Sequence, residues 1–181
     1  IPNLKVYRPA DINETLECWE LSLNSSENPS AIALSRQKLP YINKEFSEEN
    51  RCKLGAYEIN KTSHDYKIIL IASGSELEIA LEAQKKLLNE NVHSKVISMP
   101  CQELFDEQND DYREEILETK NCKRISIEAG SVKGWDNYIK NNGSSVGIDN
   151  FGKSAPYKEI YNHFDVNSDK VVEIARELIK K

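Results

Sequence analysis

The stretch KIILIAS (67–73) narrows the possible folds more than any other part of the chain. Ile68 to Ala72 are apolar without a break. A strand with one wet face alternates polar and apolar side chains. An unbroken run belongs to a strand covered on both faces, as in a parallel sheet held between helical layers. The run is far too short to cross a bilayer. The next residues change period: Leu77, Ala80, Leu81, Gln84 (by its stem), Leu87 and Leu88 share one helical face. Ser75 stands at the cap position, with Glu78 at the third helical residue.

The alternation continues to the end of the chain. SKVISM is a strand ended by Pro100, and CQELFDEQNDDYREEIL reads as one or two helices with Leu104, Phe105, Tyr112, Ile116 and Leu117 inward. KRISIEAG is a strand, SVKGWDNYIKNNG a short amphipathic piece carrying Trp135, Tyr138 and Ile139, and SSVGID a further strand. Two helices close the chain, Pro156 to Phe164 and Asp169 to Ile179, the second capped by Ser168. Strands alternating with helices imply right-handed crossovers and a mostly parallel sheet. Residues 55–181 are therefore expected to form a three-layer αβα domain, with the opening strand GAYEI antiparallel at one edge.

Upstream, NLKVY is a strand with Leu4 and Val6 on one face, and Asp11 with Glu14 gives a capping-box pattern. Ile12, Leu16, Trp19 and Leu23 form the apolar face of that helix, and Ala31 to Leu34 read as a short buried strand. Two strands and one helix cannot bury a core alone. Residues 1–54 are thus expected to be the end of a second α/β unit, with 38–54 as a surface linker. The start at Ile1, with no basic or apolar leader pattern, suggests a piece of a longer polypeptide, and a processed terminus would look the same.

Charge and cysteines exclude some functions. Twenty-four basic residues against 30 acidic ones give a net charge of −6, which disfavours a nucleic-acid or anionic-membrane role. Any phosphate chemistry must rest on local positive charge. Cys18, Cys52, Cys101 and Cys122 show no C-x-x-C and no zinc-ligand spacing with histidine. Reduced thiols in a cytoplasmic protein are expected, with Cys18 and Cys122 packed in apolar segments.

Motifs for chemistry are few. Arg36 follows the Ala31–Leu34 strand at its carboxyl end. It reads either as a surface arginine or as an anion hook, since open α/β sheets bind ligands at strand carboxyl ends and a guanidinium matches phosphate geometry. The loop ASGSELE (72–78) is a small-residue turn before a helix, yet it has neither G-x-G-x-x-G nor G-K-[ST]. Glu128 and Asp149 leave strands without a histidine or second carboxylate at a telling spacing, and read as structural. His64, His93 and His163 fall in turns or near helix ends and suggest no triad or metal set.

The stretches IPNLKVYRPADINET, SAIALSRQKLP, IILIASGSELEIALEAQKKL, VISMPCQELFDEQNDDYREEIL, ISIEAG…GW and GIDNFGKSAP stand in the order and spacing of one family. Over essentially its whole length the chain resembles the transketolases. The resemblance implies a thiamine-diphosphate enzyme that moves a two-carbon ketol unit between ketose and aldose phosphates in the pentose phosphate pathway. Its substrates would be xylulose 5-phosphate, ribose 5-phosphate, sedoheptulose 7-phosphate and glyceraldehyde 3-phosphate. It implies that residues 1–54 are the end of the pyrimidine-binding domain and 55–181 the C-terminal domain of a homodimeric enzyme. The family's ALSRQ arginine contacts the sugar phosphate, and Arg36 matches it. Catalytic, cofactor-binding and metal-binding residues, for thiamine diphosphate and Mg or Ca, are expected outside this segment, which alone should be inactive. Gln102 and Asn150 depart from the family pattern. A sister enzyme such as a dihydroxyacetone synthase, or a non-catalytic structural or ligand-sensing module, are the competing readings.

Overall fold

The structure is a computed structural model and describes residues 1–43, 49–117 and 122–180. Strand β1 (Lys5–Tyr7), helix α1 (Ile12–Asn24) and strand β2 (Ser30–Ile32) open the chain. A 3₁₀ turn at Arg51–Leu54 leads into β3 (Tyr57–Lys61), β4 (Ile68–Ala72), α2 (Glu76–Asn89) and β5 (Ser94–Ser98). Then come α3 (Gln102–Asp106), α4 (Asp110–Leu117), β6 (Lys123–Ile127), α5 (Asp136–Ile139) and β7 (Gly143–Val146). Helices α6 (Tyr157–His163) and α7 (Ser168–Ile179) end it.

The five-stranded sheet has the order β3-β5-β4-β6-β7. Its pairings are parallel except for β3 with β5, so the opening strand is the antiparallel edge the pattern suggested. β4 is central, and all five of its side chains are buried. They alternate between two cores. Ile68, Leu70 and Ala72 meet Leu77, Ala80 and Leu87 of α2 and Val171 and Ala175 of α7. Ile69 and Ile71 meet Phe105, Ile116, Trp135 and Tyr138 on the other face. Each fully buried aliphatic side chain here contributes about 1.5–3 kcal/mol. This is the three-layer arrangement read from the unbroken apolar run.

Boundaries and caps differ from expectation in places. The α2 cap is not made: the Ser75 hydroxyl donates to Glu76 instead, at 2.6 Å. In α7 the cap is Asn167, whose side chain accepts from the Lys170 amide, rather than Ser168. Leu88 is 42 % exposed, while Ala83 takes a core place.

The upstream unit departs further. β1 and β2 pair in parallel, in a sheet of two strands. Lys5 and Tyr7, not Val6, are the buried residues of β1. The Ala31–Leu34 strand is shorter and wetter than expected: it ends at Ile32, and Leu34 is exposed. Ile12, Leu16, Trp19 and Leu23 are likewise exposed, at 57, 58, 49 and 77 %. α1 instead turns Glu14 and Cys18 inward, toward Cys52, Tyr57 and Cys101. Its most apolar side chains are left largely exposed among the described residues. The stretch read as a surface linker is partly core, since Cys52 is fully buried and Asn43 nearly so. Residues 44–48 of that stretch lie outside the described residues. Gly55, at φ +75°, makes the joint after the 3₁₀ turn: a Cβ there would stand 2.1 Å from the Phe105 amide nitrogen. All four cysteines are buried and stand outside disulfides.

Candidate functional site

Arg36 stands on the loop that leaves β2, where parallel pairing stops. The Ala33 amide donates to the Tyr7 carbonyl at 2.8 Å, and beyond it the ladder ends. The Arg36 side chain is exposed, and no carboxylate among the described residues pairs with it. The far end of the loop is pinned. Asp11 Oδ2 accepts from the Ile42 amide at 3.2 Å and the Asn43 amide at 2.7 Å, while Asn13 Nδ2 donates to the Asn43 carbonyl at 2.8 Å. Asp11 caps α1 with its other oxygen, accepting from the Glu14 amide at 3.0 Å. One carboxylate thus fixes both the helix start and the loop end.

Between its anchors the loop is a wall between two cavities. One, of about 290 Å³, is bounded by Ser75, Glu78 and Tyr161 on the far side. The other, of about 320 Å³, is bounded by Pro9, Ile12 and Thr15. Gln37 and Leu39 line both.

The second noteworthy place is the carboxyl edge of the larger sheet. β5 and β6 lie on opposite sides of β4, so the connections leave β4 and β6 toward opposite layers. Ligands of open α/β folds bind at such a point. Here it is taken by Arg8. The Gly74 amide donates to the Arg8 carbonyl at 2.9 Å, and the Arg8 amide donates to the Pro100 carbonyl at 2.8 Å. Its guanidinium donates to Glu76 Oε2 at 3.0 Å and pairs closely with Glu128. The other Glu76 oxygen accepts from the Ser75 hydroxyl and, at 2.8 Å, from the Tyr161 hydroxyl. The small-residue turn 73–75 therefore receives a backbone carbonyl, and Glu128 is an ion-pair partner. Asp149 is structural too, accepting from Ser131 Oγ at 3.0 Å and the Val132 amide at 3.1 Å.

Burial pushes the Glu76 carboxyl up from the usual range, and Arg8 pulls against the rise. Tyr161 is raised by burial and by the Glu76 charge. A further buried carboxylate lies at the joint of the units. Glu14 accepts from Ser98 Oγ at 2.5 Å, Tyr57 Oη at 2.6 Å and the Ala10 amide at 2.6 Å. Burial raises its pKa, and these donors oppose the rise.

Sequence reasoning named Arg36 but missed Arg8, Glu76 and Tyr161. A glutamate opening an amphipathic helix is ordinarily solvated, and no local pattern shows that Glu76 receives an arginine from sixty-eight residues upstream. Among the described residues no three His, Cys, Asp or Glu side chains come together to hold a metal ion. They do not fit the cation that a bound diphosphate requires. No helix of the described residues is long and apolar enough to cross a membrane.

Residues 55–167 match the family model for the transketolase-like C-terminal domain. A transketolase of Sinorhizobium medicae is 43 % identical over 181 residues, covering 99 % of this chain and 26 % of its own length. Among solved structures, transketolase from Leishmania mexicana superposes with a TM-score of 0.88 at 38 % identity, covering 99 % of this chain and 26 % of its own. A Pichia stipitis transketolase in complex with sedoheptulose 7-phosphate gives 0.89 at 31 % identity, covering 99 % of this chain and 25 % of its own. The chain thus spans about a quarter of the length of the relatives it matches.

Proposed function

The chain belongs to the transketolase family, and on that premise we propose that it works as the C-terminal quarter of an enzyme transferring a two-carbon ketol unit between sugar phosphates. Arg36 is the residue that would touch substrate. An exposed guanidinium at a strand's carboxyl end, free of any described carboxylate, is what a phosphate dianion needs. The contrast with Arg8 carries the reading: Arg8 is neutralised by two carboxylates, whereas Arg36 is left available. Its contribution is to hold the far end of the sugar while the reacting carbons are handled elsewhere. The sugar phosphate bound to the Pichia stipitis relative supports a ligand of this chemistry.

Residues 1–54 are assigned to the pyrimidine-binding domain and 55–181 to the C-terminal domain. The start of the family match at 55 supports that boundary. Thiamine diphosphate and its cation are assigned to the rest of a homodimeric, cytoplasmic enzyme, so the segment alone would be inactive. Four buried cysteines outside disulfides agree with a reducing compartment. The exposed apolar face of α1 agrees with packing against chain outside this segment.

Arg36→Ala in the full-length enzyme tests the substrate role. KM for phosphorylated ketoses should rise by about 10- to 100-fold, the equivalent of one charge-assisted contact, with little change for an unphosphorylated ketose. Equal losses on both would reject a phosphate contact.

A further inference from the structure

The loop after β2 carries Arg36 three residues past its first fixed point, where the Ala33 amide donates to the Tyr7 carbonyl at 2.8 Å. Among the described residues no backbone hydrogen bond holds 34–41, and cavities lie on both sides of that stretch. The next fixed point is the pair Ile42 and Asn43. Pro40 has its own φ locked and restricts Leu39, so few torsions are free just before that pair. Tied at one end only, a chain lets a residue three positions along sweep about 10 Å. The second tie is therefore what confines Arg36.

That tie is Asp11. Capping α1 takes one oxygen, and Oδ1 supplies it to the Glu14 amide at 3.0 Å. Serine or asparagine would cap the helix as well. The other oxygen, Oδ2, accepts three bonds, all from the end of the loop. They come from the Ile42 amide at 3.2 Å, the Asn43 amide at 2.7 Å and Asn43 Nδ2 at 3.1 Å. Asp11 and Asn43 are only 5 and 8 % exposed, so these charge-assisted bonds are shielded from water. Asn43 is gripped from other sides too. Asn13 Nδ2 donates to its carbonyl at 2.8 Å, and Arg51 Nη2 donates to its Oδ1 at 2.7 Å. Arg51 lies over the Tyr57 ring, 4.6 Å from the centroid, which sets it against β3 of the larger unit.

We propose that Asp11 is a positioning residue for the substrate phosphate: through Ile42 and Asn43 it holds the loop in the conformation that presents Arg36. The inference rests on the phosphate role of Arg36. It accounts for an aspartate, rather than any good cap, at the start of α1, since a carboxylate has a second oxygen to give the loop amides. Asp11 touches no substrate in this arrangement. Without it the guanidinium keeps its charge but sits on a loop that samples more positions. A group that must be ordered as its ligand arrives binds more weakly, and small misplacements are costly.

The test uses the full-length enzyme with Asp11→Ser, Asn43→Ala and Arg36→Ala, and with each of the first two combined with the third. Serine keeps a capping oxygen and removes the acceptor that the loop amides share. KM and kcat are measured on a phosphorylated and an unphosphorylated ketose, with a melting curve for every variant. Asp11→Ser and Asn43→Ala should each raise KM for the phosphorylated ketose by about 3- to 10-fold. The variants should leave kcat and the unphosphorylated ketose within about twofold. In the Arg36→Ala background neither should add anything, because both act only through that guanidinium. Equal losses on both ketoses, or a full effect persisting in the Arg36→Ala background, would overturn the inference. If Asp11→Ser does not fold, Asn43→Ala decides by the same criteria. If Arg36→Ala itself fails to separate the two ketoses, the phosphate reading falls and takes the positioning role with it. If Arg36→Ala separates them and the other single variants do not, only the positioning role falls.

Discussion

Glu14 concentrates the residue-scale lesson. The capping pattern Asp11-x-x-Glu14 is present in the sequence, and the Asp11 half of it forms. Nothing local shows that Glu14 then goes on to bridge Ala10, Tyr57 and Ser98 in a site closed to solvent. Glu14→Ala would strand one amide and two hydroxyls, and thermal or urea unfolding should show a loss of about 3 kcal/mol. The carboxyl's pKa is raised in the folded chain. The folded state therefore holds a proton that the unfolded state releases, between the ordinary carboxylate pKa and the raised one. Stability should fall as pH rises through that window. Glu14→Gln, which carries no proton to lose, should flatten this part of the stability–pH profile while keeping the fold. Arg36 shows the opposite case. Its place on the loop after β2 could be read from the local sequence, whereas Arg8, Glu76 and Tyr161 are brought together only once distant elements meet.

At the scale of elements, β4 was readable because burial on both faces leaves an unbroken apolar signature in the sequence. α1 misled for a related reason. Helical period identified its apolar stripe correctly as a stripe, but period says nothing about which neighbour is in reach. The face toward the larger unit is built from Glu14 and Cys18, satisfied by hydrogen bonds and packing, not from the largest apolar side chains. The contact between β1, α2 and β6 depends on Arg8 neutralising two largely buried carboxylates. Removing the cation alone should be severe: Arg8→Met leaves Glu76 and Glu128 facing each other. We expect about 3–5 kcal/mol of lost stability in denaturant unfolding, with partial recovery when Glu128→Gln is added. An arginine just past a strand gives no hint of this in the sequence, since its partners come from the start of a helix and the end of another strand.

For the molecule as a whole, the two units meet through polar networks and a small cluster around Cys18, Tyr57 and Cys101, while one apolar stripe of the smaller unit is largely exposed. In the longer enzyme proposed above, that stripe would pack against chain outside this segment. Leu16→Lys with Leu23→Lys should then lower the melting temperature of the full-length enzyme by several degrees, with about 2 kcal/mol lost per buried leucine. The same pair of changes in a protein where the stripe stayed wet would leave the melting curve in place. The thiols have a consequence of another kind. Cys18 and Cys52 are sealed in the joint between the units, whereas Cys122 is sealed beside the central sheet. An alkylating reagent can reach each of them only when its own surroundings part, so the rates at which they are labelled are separate clocks, one timing the joint's excursions and the other the sheet's.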